Sequence, residues 1–325
     1  MKKRQSFRQG FIVLVAAAML AGPAVLAGQA LATEGGGGAY PNGAESFMAG
    51  ALPPPGTYFV NYLTYYTASK FKDNSGNDLI PDFKLKVAAD VLRFIHVTDT
   101  KILGANWAVH AFIPLAYQDV TMGGRDDDRF GLGDIIIDPI ILGWHSKNVH
   151  VTAGLDIYVP VGTYNQDRLA NIGRNYWTFE PVLGVTYLSD GGFEVSAKFM
   201  YDINTENDDT KYQSGQEFHV DYTIGYHVNK QWKLGIGGYY YHQTTDVEAS
   251  YTRDDDNDGV PDDIELGFNA VQSTVGLVAE LAGVQIVPTN TAPTAHSQSV
   301  VTPEDTALTI TLTGSDPEGD DLAFE

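Results

Sequence analysis

The densest run of metal-ligating side chains is Asp254-Asp255-Asp256-Asn257-Asp258-Gly259-Val260-Pro261-Asp262, spaced D-x-D-x-D-G-x-x-D. Calcium takes roughly six to eight oxygen ligands, and alternating carboxylates place oxygens on one side of a loop that a glycine can turn sharply. Asp254, Asp256, Asp258 and Asp262 are the side-chain candidates, with Val260 offering its carbonyl. The same run also reads as a solvated acidic loop, extended by its own repulsion. Ca2+ is therefore the one cofactor the residues suggest. Glu304, Asp305, Asp316, Glu318, Asp320 and Asp321 form a second acidic set, which polar turn chemistry also accounts for.

Catalytic chemistry finds less support. His110, His150, His219, His227 and His242 have no local spacing that compels a metal site. No Ser stands with a His in a recognisable nucleophile arrangement. The chain has no Cys, which excludes disulfides and thiolate sites. The expectation is a protein that is not an enzyme.

The elements that carry these residues are strands. In Phe193–Asn204, Phe193, Val195, Ala197, Phe199, Tyr201 and Ile203 alternate with Glu194, Ser196, Lys198, Met200, Asp202 and Asn204. Glu217–Asn229 repeats the pattern, with Phe218, Val220, Tyr222, Ile224, Tyr226 and Val228 on one face. Side chains alternate between the two faces of a strand, so each segment has one apolar and one polar face. Thr57–Thr67 is aromatic on both faces, similar alternation runs through Phe83–Val97, Ala105–Tyr117, Val149–Val159 and Trp177–Tyr187, and Gln231–His242 continues the series. Asp134–His145 is apolar on both faces and holds Pro139, and Ile264–Ala282 is less regular. The phase in Phe83–Val97 weakens after Val91, where a bulge would fit. These segments match the roughly 9–11 tilted residues that cross a bilayer in a barrel wall.

Connector lengths divide into two sets. Residues 146–148, 189–191 and 229–230 are short turns, whereas 70–81, 121–131, 162–175, 204–215 and 244–263 are long and polar. Short turns on one side and long loops on the other mark outer-membrane barrels. The fold expected is all-β: an antiparallel up-and-down transmembrane β-barrel of about 10–12 strands. Its polar face predicts a lumen lined by Lys84, Lys86, Asp90, His110, His150, Asp156, Glu180, Glu194, Lys198, Asp202, Glu217, His219, Asp221 and His227. Aromatic residues near strand ends, among them Tyr58, Trp107, Tyr117, Tyr158, Trp177 and Trp232, are expected at the membrane interfaces.

Export is consistent with this. Lys2, Lys3, Arg4 and Arg8 precede an apolar stretch at 11–26, and Ala30-Leu31-Ala32 supplies small residues for cleavage after Ala32. Residues 1–32 thus read as a signal peptide and 33–56 as a Gly/Pro-rich lead-in, partly tucked into the lumen. Residues 57–285 form the barrel and 286–325 a linker with a partial β-sandwich-like module. The formal net charge of −21 argues against nucleic acid as a partner.

Four stretches carry a family resemblance: FGLGDIIIDPIILGWHSKN (130–148), YVPVGTYNQDRLANIGRNYWTFEP (158–181), NTENDDTKYQSGQEFHVDY (204–222) and WKLGIGGYYYHQTTD (232–246). Together they resemble the SphA-like outer-membrane family, also described as the meta-pathway phenol-degradation family of transporters, over about residues 49–246. The resemblance implies a barrel in the outer membrane of a Gram-negative bacterium that passes small hydrophobic or aromatic compounds. Its expected partners are outer-membrane lipid, those solutes and the barrel-assembly machinery. It supplies no catalytic residues. Beyond Asp246 the chain departs from the family pattern. The acidic run resembles the calcium loop of thrombospondin type 3 repeats, and residues 286–325 resemble the start of a cadherin-like or Ig-like tandem module. A surface protein whose barrel anchors calcium-dependent repeats is the alternative reading.

Overall fold

The computed structural model describes residues 33–34, 38–70, 80–230 and 232–245, with the strand segments 248–249, 271–281, 287–288, 294–295 and 314–315. The leader at 1–32, the acidic run Asp254–Asp262 and all but four residues of 289–325 lie outside the described residues. The strands in chain order are β1 (Gly56–Ala68), β2 (Lys84–Ile102), β3 (Ala105–Met122), β4 (Arg125–Leu132), β5 (Ile135–His145) and β6 (Val149–Val159). Then come β7 (Thr178–Leu188), β8 (Phe193–Asn204), β9 (Glu206–Asn207), β10 (Tyr212–Gln213), β11 (Glu217–His227), β12 (Trp232–Gln243) and β13 (Glu248–Ala249). The last are β14 (Val271–Leu281), β15 (Val287–Pro288), β16 (Thr294–Ala295) and β17 (Gly314–Ser315). No described helix is long and apolar enough to cross a membrane, which says nothing of a β-barrel.

One 12-stranded sheet dominates, ordered β14-β12-β11-β8-β7-β6-β5-β3-β2-β1-β15, with β4 added on β3. All its pairings are antiparallel. The two edge strands, β14 and β15, are consecutive in the chain. The six steps from Leu281 to Val287 span at most about 20 Å, whereas eleven strands laid flat would be roughly 48 Å across. The sheet must therefore curl back on itself, giving an inner and an outer face.

The outer face is apolar. Leu183, Ile236, Leu234 and Phe193 are exposed there, as are Trp177 and Trp232 near opposite ends of the wall. The inner face carries most of the alternating polar set, and it is buried.

At the long-loop end, β1–β4 rise beyond the level where β5 and β6 stop, because β4 takes over pairing with β3 from Leu115 to Met122. The segment 121–131, expected as a loop, is thus largely strand. Its reversal needs only Gly123 (φ 58°) and Gly124 (φ 76°), the two positive-φ positions of a tight hairpin turn. On the outer side of this raised flap, Tyr65, Ala88, Tyr117 and Phe130 lie in one cross-strand row. The next row toward the loops is Thr67, Lys86, Asp119 and Asp128, so apolar surface gives way to charge within one step.

Two further expectations change. The β2 irregularity falls between Val97 and Lys101, beside the hairpin turn, rather than after Val91. Pro139 sits in a second register break, between Ile137 and Leu142, where its missing N–H leaves no ladder bond unmade.

Candidate functional site in the barrel interior

The stretch before β1 has no strand periodicity, and the structure places it inside the curled sheet. It begins near the long-loop rim. Glu34 is latched there by Ser214 Oγ (3.1 Å from its N–H), by Thr210 Oγ1 (2.7 Å) and by Asn207 Nδ2 (2.9 Å). Thr33 donates to Glu217, and Arg174 of the loop after β6 donates to the Gly38 carbonyl.

Midway, the segment meets Asp221 of β11. Its carboxylate accepts the Tyr40 hydroxyl at 2.7 Å and the backbone N–H groups of Gly43 and Glu45 at 2.7 and 2.9 Å. The Glu45 carboxylate pairs with Arg93 of β2 at 3.5 Å, and Lys198 Nζ of β8 stands 4.6 Å above the Tyr40 ring.

Farther on, the chain passes Glu194, which accepts the Met48 N–H at 2.5 Å, and Thr186, which accepts the Gly50 N–H at 2.9 Å. Gly50 has no room for a side chain, since a Cβ there would stand 2.6 Å from the Thr186 backbone nitrogen. Leu52 then packs with Val60 against Tyr58, Ile95, Val97, Ala108 and Ile141. Gly56 opens β1 at the short-turn end.

The inner face gathers eleven of the residues proposed from sequence to line a lumen. His110 shares a hydrogen bond with Asp156 (2.7 Å) and approaches Arg93 (3.1 Å). His150 faces His145 at 3.2 Å. Glu180, Asp202 and His219 form one buried cluster, and His227 pairs with Glu194. Lys198, Glu217 and Asp221 complete the set beside the threaded segment.

Lys84, Lys86 and Asp90 stand on the opposite face. Asp90 is in register with the outward Leu63, and Lys86 pairs at 2.9 Å with Asp119 beyond the apolar row. On this arc the inner face of β2 is apolar apart from Arg93, with Ile95 and Val97 covering Leu52. Period two separates two faces but does not say which one is inside. For the same reason Tyr58 and Tyr158, expected at the membrane interface, point inward and are buried.

Tyr40, Glu45 and Phe47 belong to the interior without any sequence periodicity to announce them. Asp138 does too: ahead of the break at Pro139 it is in register with the inward His110, and it accepts the N–H groups of Ile140 (2.8 Å) and Leu155 (2.9 Å). An Asp-Pro pair inside a strand run was the one signal for it.

Above the interior, the loop between β6 and β7 is fixed by two acids. Asp134 accepts the N–H groups of Gly162 (2.9 Å) and Arg174 (2.8 Å), and its desolvation raises its pKa above the ordinary carboxylate value. Asp127 on the flap accepts Arg168 and the Ala170 N–H (2.9 Å). Those bonds, the Arg168 guanidinium first, hold it down at about 2.

An apolar outer face, a buried polar inner face and a chain segment threaded between define the outer-membrane type of β-barrel. The chain belongs to the family described as "Putative MetA-pathway of phenol degradation", whose model matches residues 68–268. No curated protein matches the chain. Among solved structures it is similar to an outer-membrane channel from Pseudomonas putida F1, with 20% identity and a TM-score of 0.59. That match covers 73% of this chain and 85% of the other. At this identity the likeness speaks for the fold.

Proposed function

We propose that the protein is a channel in the outer membrane of a Gram-negative bacterium, passing small aromatic or other hydrophobic compounds. Outer-membrane lipid would meet the apolar face, and the barrel-assembly machinery would insert it. Family membership supports the solute class, and the structural relative, itself an outer-membrane channel, supports the mode of action. The proposal assigns the chain passage rather than catalysis.

The observation that carries the reading is how the threaded segment is held. Residues 33–34 and 38–50 touch the wall largely through hydrogen bonds to Glu217, Asp221, Glu194 and Thr186, not through a strand ladder. Inside the wall, Glu180 toward the long-loop end and Glu194 toward the short-turn end are both fully buried. A solute path through the interior therefore requires the segment to shift. Individual side-chain bonds contribute roughly 0.5–3 kcal/mol each, so they can be exchanged one at a time.

The direct test is uptake of a labelled aromatic solute into vesicles with a lipopolysaccharide outer leaflet, with and without purified protein. Faster uptake with protein is expected, and uptake equal to that of protein-free vesicles would end this reading.

A further inference from the structure

We propose that Glu180, Asp202 and His219 bind a divalent first-row transition metal ion of the Zn2+ type inside the barrel wall. The inference stands on geometry alone and does not depend on the transport reading.

The three residues come from adjacent strands β7, β8 and β11. Register brings Asp202 opposite Glu217, and His219 is two residues farther along the same face. One donor atom from each lies within 4.8 Å of the others. All three side chains are at most 1% exposed.

The spacing of the donors points to an ion. His219 Nε2 stands 3.3 Å from Asp202 Oδ1 and 3.5 Å from Glu180 Oε2. Donors bound tetrahedrally at about 2.0–2.2 Å sit roughly 3.3–3.6 Å from one another. These contacts do not have hydrogen-bond alignment. Both Asp202 oxygens, Glu180 Oε1 and both His219 ring nitrogens make no hydrogen bond among the described residues. Buried polar atoms are ordinarily partnered, so three side chains that hold five such atoms and bring one donor each together call for a ligand.

The surroundings fit the same assignment. Tyr158 donates to Glu180 Oε2 at 3.1 Å, the kind of outer contact that orients a ligating carboxylate. The Tyr40 ring lies 5.3 Å from the His219 ring and covers the site from the threaded segment. Two carboxylates and a neutral imidazole carry a charge that a divalent ion cancels. An imidazole in the set favours a transition metal over Ca2+ or Mg2+, which take oxygen donors.

A neighbouring trio shows the contrast. His110, Asp138 and Asp156 are equally close, yet each is satisfied by protein hydrogen bonds, so no ion is assigned to them.

The test uses full-length protein in detergent, carrying Asp256→Ala and Asp258→Ala to silence the acidic run. After an EDTA wash and exposure to limiting Zn2+, about one Zn2+ per chain is expected. Replacing it with Co2+ should give visible ligand-field absorption. His219→Gln, and separately Asp202→Asn, should lower Zn2+ affinity at least tenfold while the barrel keeps its heat-modifiable migration. Undiminished Zn2+ uptake in both variants would overturn the site. If neither variant assembles, the parent protein decides: no Zn2+ retained means a protonated His219 between two acids, and the proposal fails.

Discussion

Tyr40 and Asp221, 181 residues apart in the chain, meet in a 2.7 Å hydrogen bond inside the barrel. The same carboxylate holds two backbone N–H groups of the threaded segment. Asp221→Asn places an amide N–H2 among donors and removes the charge. Each charge-assisted bond lost costs roughly 1.5–3 kcal/mol. The expected result is a larger or more frequently open single-channel conductance in planar bilayers, with an unchanged β-sheet circular dichroism spectrum. Conductance identical to wild type would show that this contact does not restrain the segment.

Phe47 fills space that two glycines leave. A Cβ on Gly225 would stand 2.6 Å from the Phe47 ring and 2.6 Å from the Leu234 carbonyl oxygen. Gly225→Val should expel Phe47, and Phe47→Ala in the same background should relieve the ring clash. The pair should be non-additive in urea unfolding, because the two sites are in direct contact. Additive losses would place Phe47 elsewhere in solution.

Leu183 sits at the middle of β7 on the outer face, 43% exposed. Leu183→Arg is expected to cost roughly 2–4 kcal/mol in lipid vesicles, the penalty for a basic side chain near the bilayer midplane. Measured by urea unfolding, a cost near zero would mean that this face does not meet lipid.

The Asp127–Arg168 clamp carries a pH signature. Asp127 is held at about 2, below the roughly 3.9 of a free aspartate. A lowered acid contributes stability above its unfolded value and loses it as pH falls through its folded value. The loop at 162–175 should therefore resist pepsin near pH 4 and become sensitive as pH approaches 2. In Arg168→Ala that onset should move up to about pH 4, the ordinary range. An onset unmoved by the substitution would rule out the clamp as its cause.

The strands were legible because alternation is a local property. Phe193–Asn204 shows both faces in its own residues, and β8 has the same boundaries. What alternation leaves open is which face is inside, and β2 is where that matters. There Leu52 packs against Ile95 and Val97, the inward face is apolar apart from Arg93, and Lys86, on the opposite parity, turns out. β4 was hidden because Arg125-Asp126-Asp127-Asp128-Arg129 reads as a polar loop; its strand state comes from pairing with β3 across two glycines. The contacts of Tyr40, Glu45 and Phe47 depend on where a non-periodic segment is threaded, which is a tertiary fact. Glu180, Asp202 and His219 were each visible as inner-face candidates, but their convergence needed the register of three strands.

The positions of residues 33–34 and 38–56 also fix a direction. Thr33 lies beside Glu217 near the long-loop rim, and Gly56 begins β1 at the other end, opposite Val97. A short label attached ahead of Thr33 would therefore emerge among the long loops, on the opposite side of the membrane from the hairpin at 146–148. A folded fusion in the same place would have to clear the barrel bore before the wall could close around the segment. The chain's own routing thus limits what can be inserted just ahead of Thr33, and a reporter there would read which way the barrel sits in the membrane.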